Sequence, residues 1–287
     1  MLTSLARVVA VLGKGGVGKT TVAAGLARLA REVGPTVFVE FGDGASGQRA
    51  LGPRPGVTHR VVTPDEAIAR GARGLFGSAL LARVALDNFA MRPLLKVAPA
   101  VREVAMLEAV RQIADEHPTA RIIVDMPATG HGVAWLRTAR QGREFLGAGP
   151  LFELCDRLAR ELVAPGRLSP VIVTLPERLV LGETLELARA LSAEVGLPAA
   201  ALVLNRVPQG LPPGALATLT ALEATGWAEP RMRAIVDARL ARASEVATAL
   251  DLARGDRLPH WCVPLHPGDP GADAVAEALR PASAEAA

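Results

Sequence analysis

An α/β fold is what the sequence predicts, with a mostly parallel sheet flanked by helices and one helical insertion. Runs rich in Val and Ile alternate with segments of helical period, the pattern of strands joined by crossover helices. A glycine-rich stretch at residues 13–18 separates the first of these runs from the first helical segment. Between the second and third apolar runs the alternation fails, and helix follows helix over residues 74–116.

In chain order, the first strand is expected at residues 7–12, where Val8, Val9 and Val11 precede the glycines. A helix follows over residues 19–32, stopped by Gly34, and the second strand spans residues 36–41. Leu75, Phe76, Leu80, Leu81, Val84, Leu86, Phe89, Met91, Leu94 and Leu95 mark the insertion as helical, with faces of the kind that ordinarily become core. Ile122, Ile123 and Val124 place the third strand at residues 121–125, and a second helical addition is read at residues 142–163. Strands at residues 169–175, 200–205 and 260–264 complete the sheet, with helices at residues 176–195, stopped by Gly196, and 229–254. Residues 1–287 read as a single domain, and the small, weakly polar residues 281–287 as a frayed tail.

Composition narrows the function classes. Half of the 287 residues are hydrophobic, enough for a sizeable core, yet no apolar run approaches the roughly 20 residues of a spanning helix. Residues 1–7 run straight into the first strand, so a soluble, cytoplasmic protein without a cleavable leader or transmembrane segment is expected. Cys155 and Cys262 share no metal-ligand spacing with each other or with a histidine and are expected as reduced thiols. The formal charge of +3 is spread along the chain without aromatic interleaving, which gives no strong nucleic-acid signal. Arginine dominates the basic set, and Lys14, Lys19 and Lys96 are the only lysines. Two of them fall inside one short loop, where a compact ammonium among phosphate oxygens is not replaceable by a guanidinium.

That loop, Gly13-Lys14-Gly15-Gly16-Val17-Gly18-Lys19-Thr20-Thr21, satisfies the Gly-x-x-x-x-Gly-Lys-Thr phosphate-loop pattern in its confirming context, after a strand and before a helix. Its glycines let backbone N–H groups curl around phosphates at a helix N-terminus. The fold expected is therefore a P-loop nucleotide hydrolase sheet. Lys19 is expected to bridge the β- and γ-phosphates of ATP, and the Thr20 hydroxyl to ligate Mg²⁺. Asp125, at the end of its strand, is the carboxylate expected to hold Mg²⁺ through water.

The early Lys14, in the form Lys-Gly-Gly-x-Gly-Lys-Thr-Thr, resembles the deviant phosphate loop of an ATPase class. That class includes partition and septum-site ATPases, nitrogenase iron protein, and the arsenical-pump and tail-anchored-protein-targeting ATPases. The resemblance implies that Lys14 reaches across a dimer interface and neutralises transition-state charge at the partner's nucleotide. A homodimer, or a heterodimer with a paralogue, follows from it. Asp125-Met126-Pro127-Ala128-Thr129-Gly130-His131 is similar to the Asp-x-x-Pro-Thr-Gly-His switch of the arsenical-pump and tail-anchored-protein-targeting members. There Gly130 would flip with hydrolysis and His131 would meet the partner subunit rather than a metal.

After the second strand the family carries Asp-Pro-Ala-His, whose aspartate orients the attacking water. Residues 40–46 here read Glu-Phe-Gly-Asp-Gly-Ala-Ser, so the match Asp-x-Ala gives that role, beside the metal, to Asp43, with Glu40 in reserve. Loss of the proline and histidine bears on the rate of hydrolysis more than on binding. Thr174-Leu175-Pro176-Glu177 and Leu181-Gly182-Glu183-Thr184 resemble further family segments. Leu204-Asn205-Arg206 and Val263-Pro264-Leu265 resemble those on the adenine side, which implies base contacts from Asn205, Arg206, Pro264 and Leu265. The Asn205 amide would bond the base edge in both directions.

The function implied is ATP hydrolysis by a nucleotide-sandwiched dimer whose closure loads and releases a client, such as a hydrophobic protein segment held where two copies of the 74–116 insertion meet. Metalloid transport needs converging thiolates, which two distant cysteines do not supply unless a dimer brings copies of Cys155 together, and the Cys-x-x-Cys that clamps some relatives with zinc is absent. Two other readings stay open. One is a partition-like positioning ATPase acting on DNA or membrane; the other is a slow, ATP-binding structural partner in a heterodimer.

Overall fold

A computed structural model describes residues 2–53, 56–76, 99–127, 132–226, 230–255, 258–268 and 270–280. Within these, β1 (Val8–Leu12), β2 (Thr36–Phe41), β3 (Thr58–Val62), β4 (Arg121–Asp125), β5 (Leu168–Thr174), β6 (Ala201–Val207) and β7 (His260–Pro264) form one seven-stranded sheet. The order is β3-β2-β4-β1-β5-β6-β7, and every pairing is parallel. The helices are α1 (Lys19–Arg31), α2 (Ala45–Leu51), α3 (Pro64–Phe76), α4 (Pro99–Glu116), α5 (Gly132–Phe145), α6 (Pro150–Glu161), α7 (Arg178–Ala190), α8 (Ala215–Ala224), α9 (Pro230–Gly255) and α10 (Gly271–Ala278). None among the described residues is long and apolar enough to cross a membrane.

Helices cover the sheet on both faces, so β1 and β5 are buried along their whole length, as parallel strands usually are. The pleat divides β1 between two cores. Val9 and Val11 pack with Val22, Leu26 and Ala27 of α1 and Val275 of α10. Val8, Ala10 and Leu12 join the opposite cluster with Leu107 and Val110 of α4, Leu136 of α5 and Leu158 of α6. The chain steps outward from β1 to β2 and β3, returns through β4 beside β1, and then crosses to β5. The C-terminal end of β1 is thus the point where strand order reverses, which is where such sheets bind ligands.

The expected α/β sheet is present, with differences in its parts. β3 is an edge strand absent from the sequence reading: of its five residues only Val62 is buried, so no apolar run marks it. The helical stretch after it starts ahead of residue 74, at Pro64, where a proline in the first turn and the acidic Asp65 and Glu66 suit a helix N-terminus. α3 and α4 pack on one another and place Ala67, Val104 and Ile113 in the core. Leu80, Leu81, Val84, Leu86, Phe89, Met91, Leu94 and Leu95 lie outside the described residues. The addition at residues 142–163 resolves into the end of α5 and α6, which meet where Gly142 faces the Cys155 thiol. Both belong to the main core.

Between β6 and β7, α8 and α9 stand largely in solvent. Leu219, Ala249 and Ala253 are buried, whereas Leu216, Met232, Ile235 and Leu240 are exposed. α8 has no regular amphipathic stripe, and no helix was expected there.

Candidate functional site: a phosphate loop and an adjoining cavity

The loop between β1 and α1 is shaped by sterics at two glycines. Gly13 has φ +143°, and a Cβ on it would run into the Val173 carbonyl oxygen at the end of β5. Gly18 has φ +88°, and a Cβ there would strike the Asn205 side-chain amide at the end of β6. Only glycine combines that backbone with so close an approach. Val17, by contrast, is buried and anchors the loop into the core under α1. Lys14, Gly15 and Gly16 remain exposed.

Lys19 is 6% exposed, and its Nζ donates to the Lys14 carbonyl at 3.0 Å, folding the side chain back over its own loop. Burial holds this ammonium below the ordinary lysine range, and the charge of Asp125 offsets part of that effect. The next residue meets β4: the Thr20 hydroxyl donates to Asp125 Oδ2 at 2.6 Å. Asp125 is placed by register, opposite Val11 on one side and Glu40 on the other. Burial raises its carboxyl to about 6, against lowering by the Thr20 hydrogen bond and the Lys19 charge, while Glu40 adds to the rise. Its second oxygen, Oδ1, is buried without a hydrogen-bond partner. Beside the Thr20 hydroxyl, an unpartnered carboxylate oxygen of this kind suits a hard divalent cation.

On the other side of the loop lies a cavity of about 460 Å³. Gly18 and Thr21 form one wall; Asn205, Arg206, Pro264, Leu265, His266, Gly268 and Pro270 form the rest. A register shift between Leu204 and Val207 builds it, since three steps along β6 oppose two along β7, from Cys262 to Pro264. Such a bulge re-aims side chains at a sheet end. Arg206 takes up the irregularity with φ 55°, uncommon for a residue with a Cβ, and its N–H is held by Asn205 Oδ1 at 2.9 Å. Asn205 Nδ2 in turn donates to the Val17 carbonyl at 2.8 Å. Past β7, the Leu265 N–H donates to the Val207 carbonyl at 2.7 Å and closes the cavity's far edge.

Thus Gly18, Lys19, Thr20, Thr21, Asp125, Asn205, Arg206, Pro264 and Leu265, picked from distant segments, lie at the C-terminal ends of β1, β4, β6 and β7 along one edge of the sheet. The structure adds detail at four of the expected residues. Asn205 was expected to face a base with both amide atoms, but each already bonds backbone, leaving one N–H and one acceptor position. Asp43 is exposed and its Oδ1 accepts the Ala45 N–H at 3.0 Å at the start of α2. Glu40 is the buried acid, 5% exposed, accepting from the Gly47 N–H through both oxygens (2.9 and 3.0 Å) and paired with His59 Nε2 at 3.1 Å. Lys14 turns to α7, where its Nζ lies 2.7 Å from Glu183 Oε2 in an ion pair about half exposed on each side. Thr184 fixes that helix by bonding Thr174 at 2.8 Å. Thr129, Gly130 and His131 lie outside the described residues.

His266, Gly268 and Pro270 were flagged by no motif, although His266 directly follows the Pro264-Leu265 pair. Cys155 and Cys262 are free thiols, both raised by burial, Cys155 to about 11. Among the described residues no cluster of His, Cys, Asp and Glu could hold a metal by itself.

No family model matches the chain. It is similar to three mycobacterial proteins. Two, from Mycobacterium bovis and from Mycobacterium tuberculosis strain CDC 1551, carry names that give ATPase as a provisional assignment, and the third is ATPase BagA of M. tuberculosis strain H37Rv. Each is 28% identical over 234 residues, covering 72% of this chain and 67% of the relative.

Proposed function

We propose that this chain binds and hydrolyses ATP, and does so as a dimeric P-loop ATPase of the arsenical-pump-like class. One observation carries the reading. The Thr20–Asp125 pair flanks the phosphate loop on the β4 side and the β6–β7 cavity flanks it on the other, the order that metal, triphosphate and nucleoside would need. The relatives named as ATPases support the same activity.

Each residue then has a task. Phosphate oxygens would replace the Lys14 carbonyl as partner of the Lys19 ammonium, restoring the solvation it loses on burial. Thr20 and Asp125 would hold Mg²⁺, which, when bound, neutralises charge on the phosphates. Asp125 must be ionised for this, and the positive charge of Lys19 favours that form. Asp43, exposed and with one oxygen unengaged by Ala45, is the carboxylate with room to orient a water. The surface pairing of Lys14 with Glu183 leaves the lysine able to exchange its partner for another subunit's nucleotide. Nucleotide-driven closure of the dimer would then load and release a client, a hydrophobic protein segment fitting the class.

Steady-state phosphate release with Mg²⁺-ATP, together with light scattering with and without nucleotide, tests the proposal. Turnover abolished in Lys19→Ala and a doubled mass with ATP are the expected results. ATP binding without phosphate release, alone or with a paralogue, would instead favour a slow structural partner. The exposure of Asp43 and the full engagement of Glu40 are the observations on the side of that second reading.

A further inference from the structure

We infer that His266 is the residue that reads the nucleoside, its Nε2 hydrogen-bonding the base edge; this rests on the nucleotide reading above. His266 lines the cavity between β6 and β7, yet its Nε2 is shut off from water and has no hydrogen-bond partner. An imidazole nitrogen left in that condition costs free energy, which a partner supplied by a ligand restores. The residue is also pre-set. Pro267 follows it and confines its backbone to the extended region, while the Leu265–Val207 hydrogen bond ties the preceding residue to β6. To meet a ligand, Nε2 has to turn from its buried position into the cavity that the residue lines.

The other candidate, Asn205, keeps one N–H and one acceptor position but is held in place at both amide atoms. Its Nδ2 binds the Val17 carbonyl and its Oδ1 the Arg206 N–H, so it joins the phosphate loop to the bulge and acts as a positioning residue. Arg206 is exposed and offers donors alone, whereas a purine edge alternates amino and ring-nitrogen groups. A neutral imidazole supplies either a donor or an acceptor at Nε2, matching one group or the other of that edge.

Calorimetric titration of the full chain with Mg²⁺-ATP and with inorganic tripolyphosphate separates the nucleoside from the phosphates. His266→Phe keeps the ring's bulk and removes its nitrogens; it is expected to weaken ATP about tenfold, the effect of one lost hydrogen bond, and to leave tripolyphosphate unchanged. His266→Gln, which returns an amide near the Nε2 position, is expected to recover most of the loss. Asn205→Ala is expected to weaken both ligands, because the loop itself loses its tie. If His266→Phe binds ATP as wild type does, or loses ATP and tripolyphosphate equally, the assignment of His266 is overturned while the nucleotide reading stands. Wild-type protein that binds neither ligand overturns both.

Discussion

The loops after β1 and β2 begin alike and end differently. Each leaves a buried parallel strand, passes through glycines and enters a helix that packs on the same core. After β1, the charged groups converge while retaining capacity: Lys19 holds only a carbonyl of its own loop, and Asp125 keeps one oxygen unpartnered. After β2, the buried Glu40 is surrounded by donors, with Gly47 on α2's side and His59 on β3's, and Asp43 is left at the surface. Burial alone therefore does not mark a reactive acid. The acid to watch is the one whose lone pairs the fold has not already occupied.

The largest effect that could break this contrast is at Lys19. Lys19→Ala is expected to reduce ATP affinity about a hundredfold, as charge-assisted hydrogen bonds to phosphate are lost. The fold should not suffer, because burial disfavours this ammonium: its lowered value makes native stability rise with pH toward the ordinary lysine range. Calorimetry and a thermal melt at pH 7 check both parts. A variant that unfolds would show that Lys19 serves the loop's structure and not a ligand.

Asp125 comes next, and its pH dependence has a definite sign. Its carboxyl takes a proton at about 6 in the fold against an ordinary 3.8, so between those values the native state holds the proton more firmly than the unfolded chain. Stability must then fall as pH rises through that window and stay lower above it. Asp125→Asn keeps an acceptor for Thr20 and removes the buried charge. Measured without Mg²⁺, it is expected to be more stable at pH 7.5 by about 3 kcal/mol, the gain vanishing near pH 4. Turnover with Mg²⁺-ATP should meanwhile drop about a hundredfold. Equal stability at both pH values would mean that Asp125 is better solvated than its surroundings indicate.

A paired substitution sharpens the comparison on the β2 side. Asp43→Asn should lower turnover about a hundredfold, the scale of a positioned carboxylate, and barely move the melt of an exposed site. Glu40→Gln should cost about 1–3 kcal/mol, because the Gly47 N–H and His59 then face a neutral amide. The opposite outcome, turnover lost in Glu40→Gln with stability intact, would transfer the water-orienting role to Glu40.

What could be read from the chain beforehand follows from how locally each feature is encoded. The phosphate loop was legible because its residues are contiguous and flanked by a strand and a helix. Asp125 was legible because it ends an uninterrupted apolar strand. The cavity was legible only in part. Asn205, Arg206, Pro264 and Leu265 came from a resemblance, while the bulge that aims them and the closing His266 arise from the pairing of β6 with β7. Asp43 and Glu40 could not be told apart, because what occupies Glu40 arrives from Gly47 and from His59 on a strand with one buried residue.

The smallest expected effect concerns the ion pair that holds Lys14 away from its own loop. Lys14 and Glu183 are each about half exposed, so their contact at 2.7 Å contributes about 0–1 kcal/mol. Glu183→Gln should leave both the melt and the ATP affinity within error. If Lys14 has to leave Glu183 to reach a second subunit's nucleotide, releasing it lowers that step by the same small amount. Turnover should then rise by no more than about fivefold, and most at low salt, where the pair is least screened. Lys14→Ala, by contrast, should lose turnover while keeping ATP affinity, since Lys19 and not Lys14 is the ammonium buried in the loop. Equal loss of binding and turnover in Lys14→Ala would place its work inside one subunit, and Glu183 would then be a surface partner with no part in the cycle.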